Sequence, residues 1–122
     1  MAKLTIADRT AELLFDMTAW EEMEETVGLI DNFDDMMTGK ERLKNARALV
    51  AILAGEGHRL GRGDEMPADW LKEHMIPRDV RRVGPAIRAA ISEGMAMEHK
   101  EGEDQVTDVI LAEIEKKEDQ DA

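Results

Sequence analysis

Apolar positions recur along most of this chain at helical spacing. The first dozen residues are ambiguous. Leu4 and Ile6, then a polar Ala7-Asp8-Arg9-Thr10, then Ala11 to Met17 fit a short β-hairpin. The same stretch also places Ile6, Leu13, Leu14, Met17, Trp20 and Met23 on one 3.6-residue face. Thr18 followed by Glu21 reads as a capping box, in which each side chain meets an otherwise orphaned backbone N–H. Glu21 and Glu22 would then sit in the electropositive first turn. This predicts a helix from Thr18 to Gly28 and leaves the segment before it free to be extended.

Further on, Leu29, Ile30, Phe33, Met36 and Met37 form an apolar face opposite Asp31, Asp34 and Asp35. Thr38 and Glu41 make a second capping box, and Leu43, Ala46, Leu49, Val50 and Leu53 carry a helical stripe behind it. Gly55 and Gly57 are expected to end that helix, and Gly55–Asp64, with four glycines, to be a loop. Pro67 suits the first turn of a short helix through Met75, with Trp70 and Leu71 inward. Pro77 opens another, whose apolar face runs through Val80, Val83, Ile87, Ala90, Ile91 and Met95. Gly84-Pro85 should kink that element or split it. After Met97 the chain turns polar, with a linker over Glu98 to Asp104 and a marginal helix lined by Val106, Val109, Ile110 and Ile114. The predicted fold is therefore mainly α: a compact helical domain of about five to six helices over residues 1–97, with an N-terminal hairpin as one option, and a flexible acidic segment over 98–122. No internal repeat or sustained heptad pattern is present.

Composition narrows the function classes. At 122 residues, 43% of them hydrophobic, the chain is one domain with enough apolar surface for a core. It has no cysteine, which excludes disulfides and thiolate chemistry and fits a reducing cytoplasm. Met1 to Ile6 lacks the apolar core of a secretory signal, and no stretch has the roughly 18 apolar residues of a membrane span. The net charge of −12 repels nucleic acid and anionic lipid at long range. That charge is segregated. Residues 1–39 carry 2 basic and 10 acidic side chains, residues 40–88 carry 11 and 7, and residues 98–122 carry 3 and 10. The basic middle can attract the acidic ends of its own chain or of a neighbour, which leaves self-association open.

Candidate chemistry is sparse. His58, His74 and His99 are scattered, and with no cysteine they make no zinc pattern. Asp31, Asp34 and Asp35 lack the alternation, central glycine and closing glutamate of a calcium loop. The glycines of Gly55–Gly63 follow a helix instead of opening one and carry no lysine where a phosphate loop needs it. The expectation is a protein without enzymatic activity, metal or cofactor. Arg78, Arg81, Arg82 and Arg88 could line one helical element, so a small DNA-associated regulator is an alternative. An antitoxin-like partner protein is another. Nine methionines against two tryptophans, two phenylalanines and no tyrosine is unusual. Methionine fills cores, and it also serves adaptable binding surfaces. Trp20, Met23, Met36, Met37, Trp70 and Met95 are the candidate protein-binding residues on this ground, each with a core role as its alternative.

Three of these segments together resemble the tail assembly chaperones of long-tailed (siphovirus-type) bacteriophages. Ala11-Glu12-Leu13-Leu14-Phe15-Asp16-Met17 leads into a glutamate-rich helix, Thr18-Ala19-Trp20-Glu21-Glu22-Met23-Glu24-Glu25-Thr26-Val27-Gly28. The helix Arg42–Leu53 follows, then a polar loop, then the helical stretch from Pro77 to Ile91. The likeness runs roughly from Lys3 to Met97, and the Gly55–Gly63 loop and the acidic end lie outside it. It implies a non-enzymatic, mainly helical protein in the cytoplasm of the infected bacterial host. Its client would be the phage tape-measure protein, held soluble while tail-tube protein assembles around it. It also implies no catalytic residues, and for many members a longer form made by frameshifting, to which Lys116-Lys117 is a pointer.

Overall fold

Alternation decides the N-terminal segment in favour of the hairpin. In the computed structural model, which describes residues 2–97, strand β1 (Lys3–Ile6) pairs antiparallel with β2 (Arg9–Glu12). Ala2, Leu4 and Ile6 point into the core, while Lys3 and Thr5 face water. Ile6 pairs with Arg9, so Ala7 and Asp8 make the turn, and Ala7 takes a left-handed φ of 52°. Hairpin turns want such a φ, and alanine adopts it at some cost.

Helix α1 (Met17–Thr26) starts one residue before the expected Thr18, because its cap is Asp16. The Asp16 carboxylate accepts from the Ala19 N–H at 3.0 Å. Phe15, just before the cap, packs on Trp20 with ring centroids 5.4 Å apart, a hydrophobic staple that fixes the entry of the chain. Thr18 and Glu21 therefore lie inside the helix, and no acidic residue occupies its first turn. Thr38 is not a cap either. It closes α2 (Phe33–Thr38), which follows a one-turn 3-10 helix at Ile30–Asn32, and its hydroxyl donates to the Asp34 carbonyl.

Helix α3 (Arg42–Arg59) is the axis of the fold and touches α1, α2, β2, α4 and α5. It runs past Gly55 and Gly57, contrary to the expected termination there. Gly57 is a point of close approach: a Cβ on it would overlap the backbone carbonyl oxygen of Glu12. The helix ends instead in a Schellman motif. Gly61 takes φ 74°, its N–H donates to the His58 carbonyl, and the Arg62 N–H donates to the Gly57 carbonyl at 2.8 Å. The loop is thus shorter than expected, and part of it joins the sheet, with Gly63 bridging Ala11.

Helix α4 (Ala68–His74) follows Pro67, and α5 (Pro77–Met95) completes the fold. Gly84-Pro85 does not split α5. Pro85 removes the N–H that the Arg81 carbonyl would accept, but both residues are exposed, so water can serve that carbonyl. Ile6, Leu13, Met23, Leu49, Val50, Leu53, Met66, Leu71, Val83 and Ile87 fill the single core. The expected linker and last helix of residues 98–122 lie outside the described residues.

Candidate partner-binding groove

At the N-terminal ends of α3 and α5 the core is not fully closed. The stripe of α3 begins with Leu43, and that of α5 with Val80; both are exposed, while Ala46 and Val83 behind them are buried. Helix α4 is only seven residues long, and its Leu71, with Met75 just past its end, covers one side of the gap. The result is a groove of about 230 Å³ whose floor is Ala46, Leu71 and Val83 and whose open lip is Leu43, Ile76 and Val80. These three lip residues keep 44%, 56% and 39% of their surface in water, a cost for groups of this size.

Ile76 is held in place from beneath. Its N–H donates to the Asp79 carboxylate at 3.0 Å, and the Asp79 N–H donates back to the Ile76 carbonyl. Asp79 is buried and is also paired with Arg82. The Ile76 N–H, with help from Arg82 and Arg78, holds the Asp79 carboxyl below its ordinary value against the opposing effect of burial. The acidic side chain at the start of α5 is thus already engaged.

The charges that border the groove have one sign. Arg47 from α3 and Lys72 from α4 are the only charged lining residues. Among the described residues neither takes part in an ion pair. Ile76 also borders a second, open cleft shared with Arg78, Arg81 and Arg82. The exposed apolar lip therefore stands on the cationic face of a chain whose net charge is −12.

None of the six residues proposed from the sequence lines this groove. Met23 and Met36 are buried, in keeping with the core role weighed as their alternative. Trp20, partly buried, spends its indole N–H on Glu24 at 3.0 Å. Met37 is also partly buried. Trp70 is sandwiched, stacked on His74 with centroids 4.5 Å apart and covered by the Arg9 guanidinium at 4.4 Å. Met95 is exposed near the far end of α5, away from the groove lining. The signal that was missed is that Leu43 and Val80 are the first members of their stripes, where packing partners run out.

A second cavity, about 540 Å³, lies beside Leu14, Phe15, Gly94 and Met97, where the described chain ends. The most perturbed carboxylates lie elsewhere. Asp16 is pushed up by burial and by hydrogen bonding to Glu56, while Arg59 holds Glu56 down to about 2. Glu56 is buried, and Arg59 binds it through two contacts, at 2.6 and 2.9 Å. Neither Asp16 nor Glu56 lines the groove or the second cavity. Among the described residues no group of three or more His, Asp or Glu side chains is placed to hold a metal ion. No described helix is long and apolar enough to cross a membrane. No protein-family model, curated protein or solved structure matches the chain.

Proposed function

We propose that this protein is a non-enzymatic assembly chaperone of a long-tailed phage. It would bind the tape-measure protein in the host cytoplasm and keep it soluble until tail-tube protein assembles around it. The observation that supports this reading is the groove: an apolar lip left in water at the meeting of three helices, on a small, highly charged chain. A helix laid into such a groove buries its apolar stripe, and a shallow site of this size gives an affinity that assembling subunits can overcome. The net charge keeps the chaperone itself in solution.

Co-expression tests this directly. The tape-measure protein of the same phage should be recovered soluble and bound when made with this chain, and should precipitate when made alone. Equal solubility alone, with no complex recovered at low salt, would sink the reading. One observation favours a DNA-associated regulator, namely the cleft framed by Arg78, Arg81 and Arg82. A mobility-shift assay over a salt series separates the two, since phosphate-driven binding falls steeply with salt.

A further inference from the structure

We infer that the groove selects acidic amphipathic helices: its partner segment presents two large apolar side chains one turn apart and flanks them with Asp or Glu. This deepens the chaperone reading, on which it rests only for the identity of the client. Three observations carry it. The first is size, since about 230 Å³ admits one or two large side chains and no more. The second is shape. The lip is made by α3, the residue before α5 and the first turn of α5, so the partner must be a rod lying across helix ends, which is how a helix seats its i and i+4 anchors.

The third is charge. Ion pairing leaves Arg47 and Lys72 unneutralised among the described residues, and Arg78 and Arg81 stand in the adjoining cleft. Seating a neutral or basic helix would bury apolar surface while crowding these cations against it. An acidic flank turns the same cations into partners and speeds encounter. The rest of the acidic chain repels such a helix, so productive contact is restricted to this face. Discrimination thus comes from attraction at the groove and repulsion elsewhere.

The test uses the full chain and three fluorescent peptides of roughly 15 residues, built on one helix-forming frame. One carries two leucines at i and i+4 with glutamate flanks, the second has lysine flanks, and the third keeps the glutamates but replaces both leucines with alanine. Anisotropy titration should show the first binding at least about tenfold tighter than either of the others. Its affinity should fall several-fold as salt rises from about 50 to about 300 mM. K72E combined with R47E should abolish or reverse the preference for acidic flanks. I76E, at an exposed position, should lose the first peptide while keeping its helical circular dichroism spectrum. Equal binding of the lysine peptide, equal binding of the peptide without leucines, unchanged binding by I76E, or no binding of the first peptide would each overturn the inference. Retention of the tape-measure protein without this preference leaves the chaperone reading standing and removes this one, and the reverse result does the opposite.

Discussion

The two ends of α3 and α5 are built on opposite principles. At their C-terminal halves both helices are pressed onto the backbone that leaves the hairpin. Gly57 meets the Glu12 carbonyl and Gly94 meets the Phe15 carbonyl, each at a distance that leaves no room for a Cβ. At their N-terminal ends the same helices border the groove, with Leu43, Ile76 and Val80 left in water. One end is closed at these two contacts by the smallest side chain available, with the second cavity lying beside Gly94. The other is left open by large ones that find no partner. Packing that tight serves stability, because interiors at close-packed density tolerate no added methyl group without movement. An open apolar lip contributes little to folding, which is why it points to binding.

The sharpest way to break this contrast is to add one methyl group at the closed end. G57A should destabilise the fold by about 3 kcal/mol or more, because the obstacle is backbone and cannot rotate aside. G55A, two residues away on the same helix, has nothing within 4 Å of the new Cβ. It should stabilise by about 0.5–1 kcal/mol, the usual gain when alanine replaces glycine inside a helix. Urea unfolding of the two variants reads both effects. Equal changes of the same sign would show that Gly57 is not a packing point.

That pair also shows where the sequence was legible and where it was not. The apolar stripes gave the helices, and alternation at Leu4 and Ile6 made the hairpin a live option. Gly55 and Gly57 look alike in a sequence, yet one sits in open space and the other under a carbonyl. Nothing local distinguishes a glycine that ends a helix from one that lets a strand approach it. The caps failed for a related reason. Thr18 and Thr38 each stand three residues before a glutamate, but Asp16 is a stronger cap than Thr18 and brings the Phe15–Trp20 staple with it. The methionines were a composition signal, and composition does not say which of Met23, Met36 and Met95 is inside. Of the lip residues, Leu43 and Val80 were in view as stripe members and Ile76 was not, and only their position at the helix starts marked them as exposed.

A smaller effect should come from Glu56, which Arg59 pairs within α3 beside the Asp16 cap of α1. Arg59 holds the Glu56 carboxyl down to about 2, below its ordinary 4.5. A carboxyl lowered on folding stabilises the fold above its unfolded value, and that contribution is lost as pH falls through the folded value. For Glu56 the window therefore runs from about pH 4.5 down to about 2. Asp16 shifts the other way, so its contribution is present at low pH and fades as pH rises through its raised value. E56Q should cost about 1–2 kcal/mol at neutral pH, on the scale of a hydrogen bond to a charged group. It should also flatten the fall in melting temperature between about pH 4.5 and 3. A variant that loses stability as steeply as the parent in that window would place the acid sensitivity elsewhere.

The smallest expected effect on stability falls at the open end, and it is the most informative about function. Ile76 is 56% exposed at the lip, and its fold contribution runs through its backbone N–H, which any residue except proline supplies to Asp79. I76S therefore keeps the hydrogen bond that starts α5 and removes only a side chain half in water. The expected change in unfolding free energy is within about 0.5 kcal/mol, the range of ordinary surface substitutions. If the lip exists for a partner, the same substitution should empty the co-purified complex of client, since an anchor pocket that has lost one wall no longer excludes water. A loss of 2 kcal/mol or more in thermal or urea unfolding would show instead that Ile76 belongs to the core. The groove would then be a packing flaw of the open end, and the contrast between the two ends would lose its functional meaning.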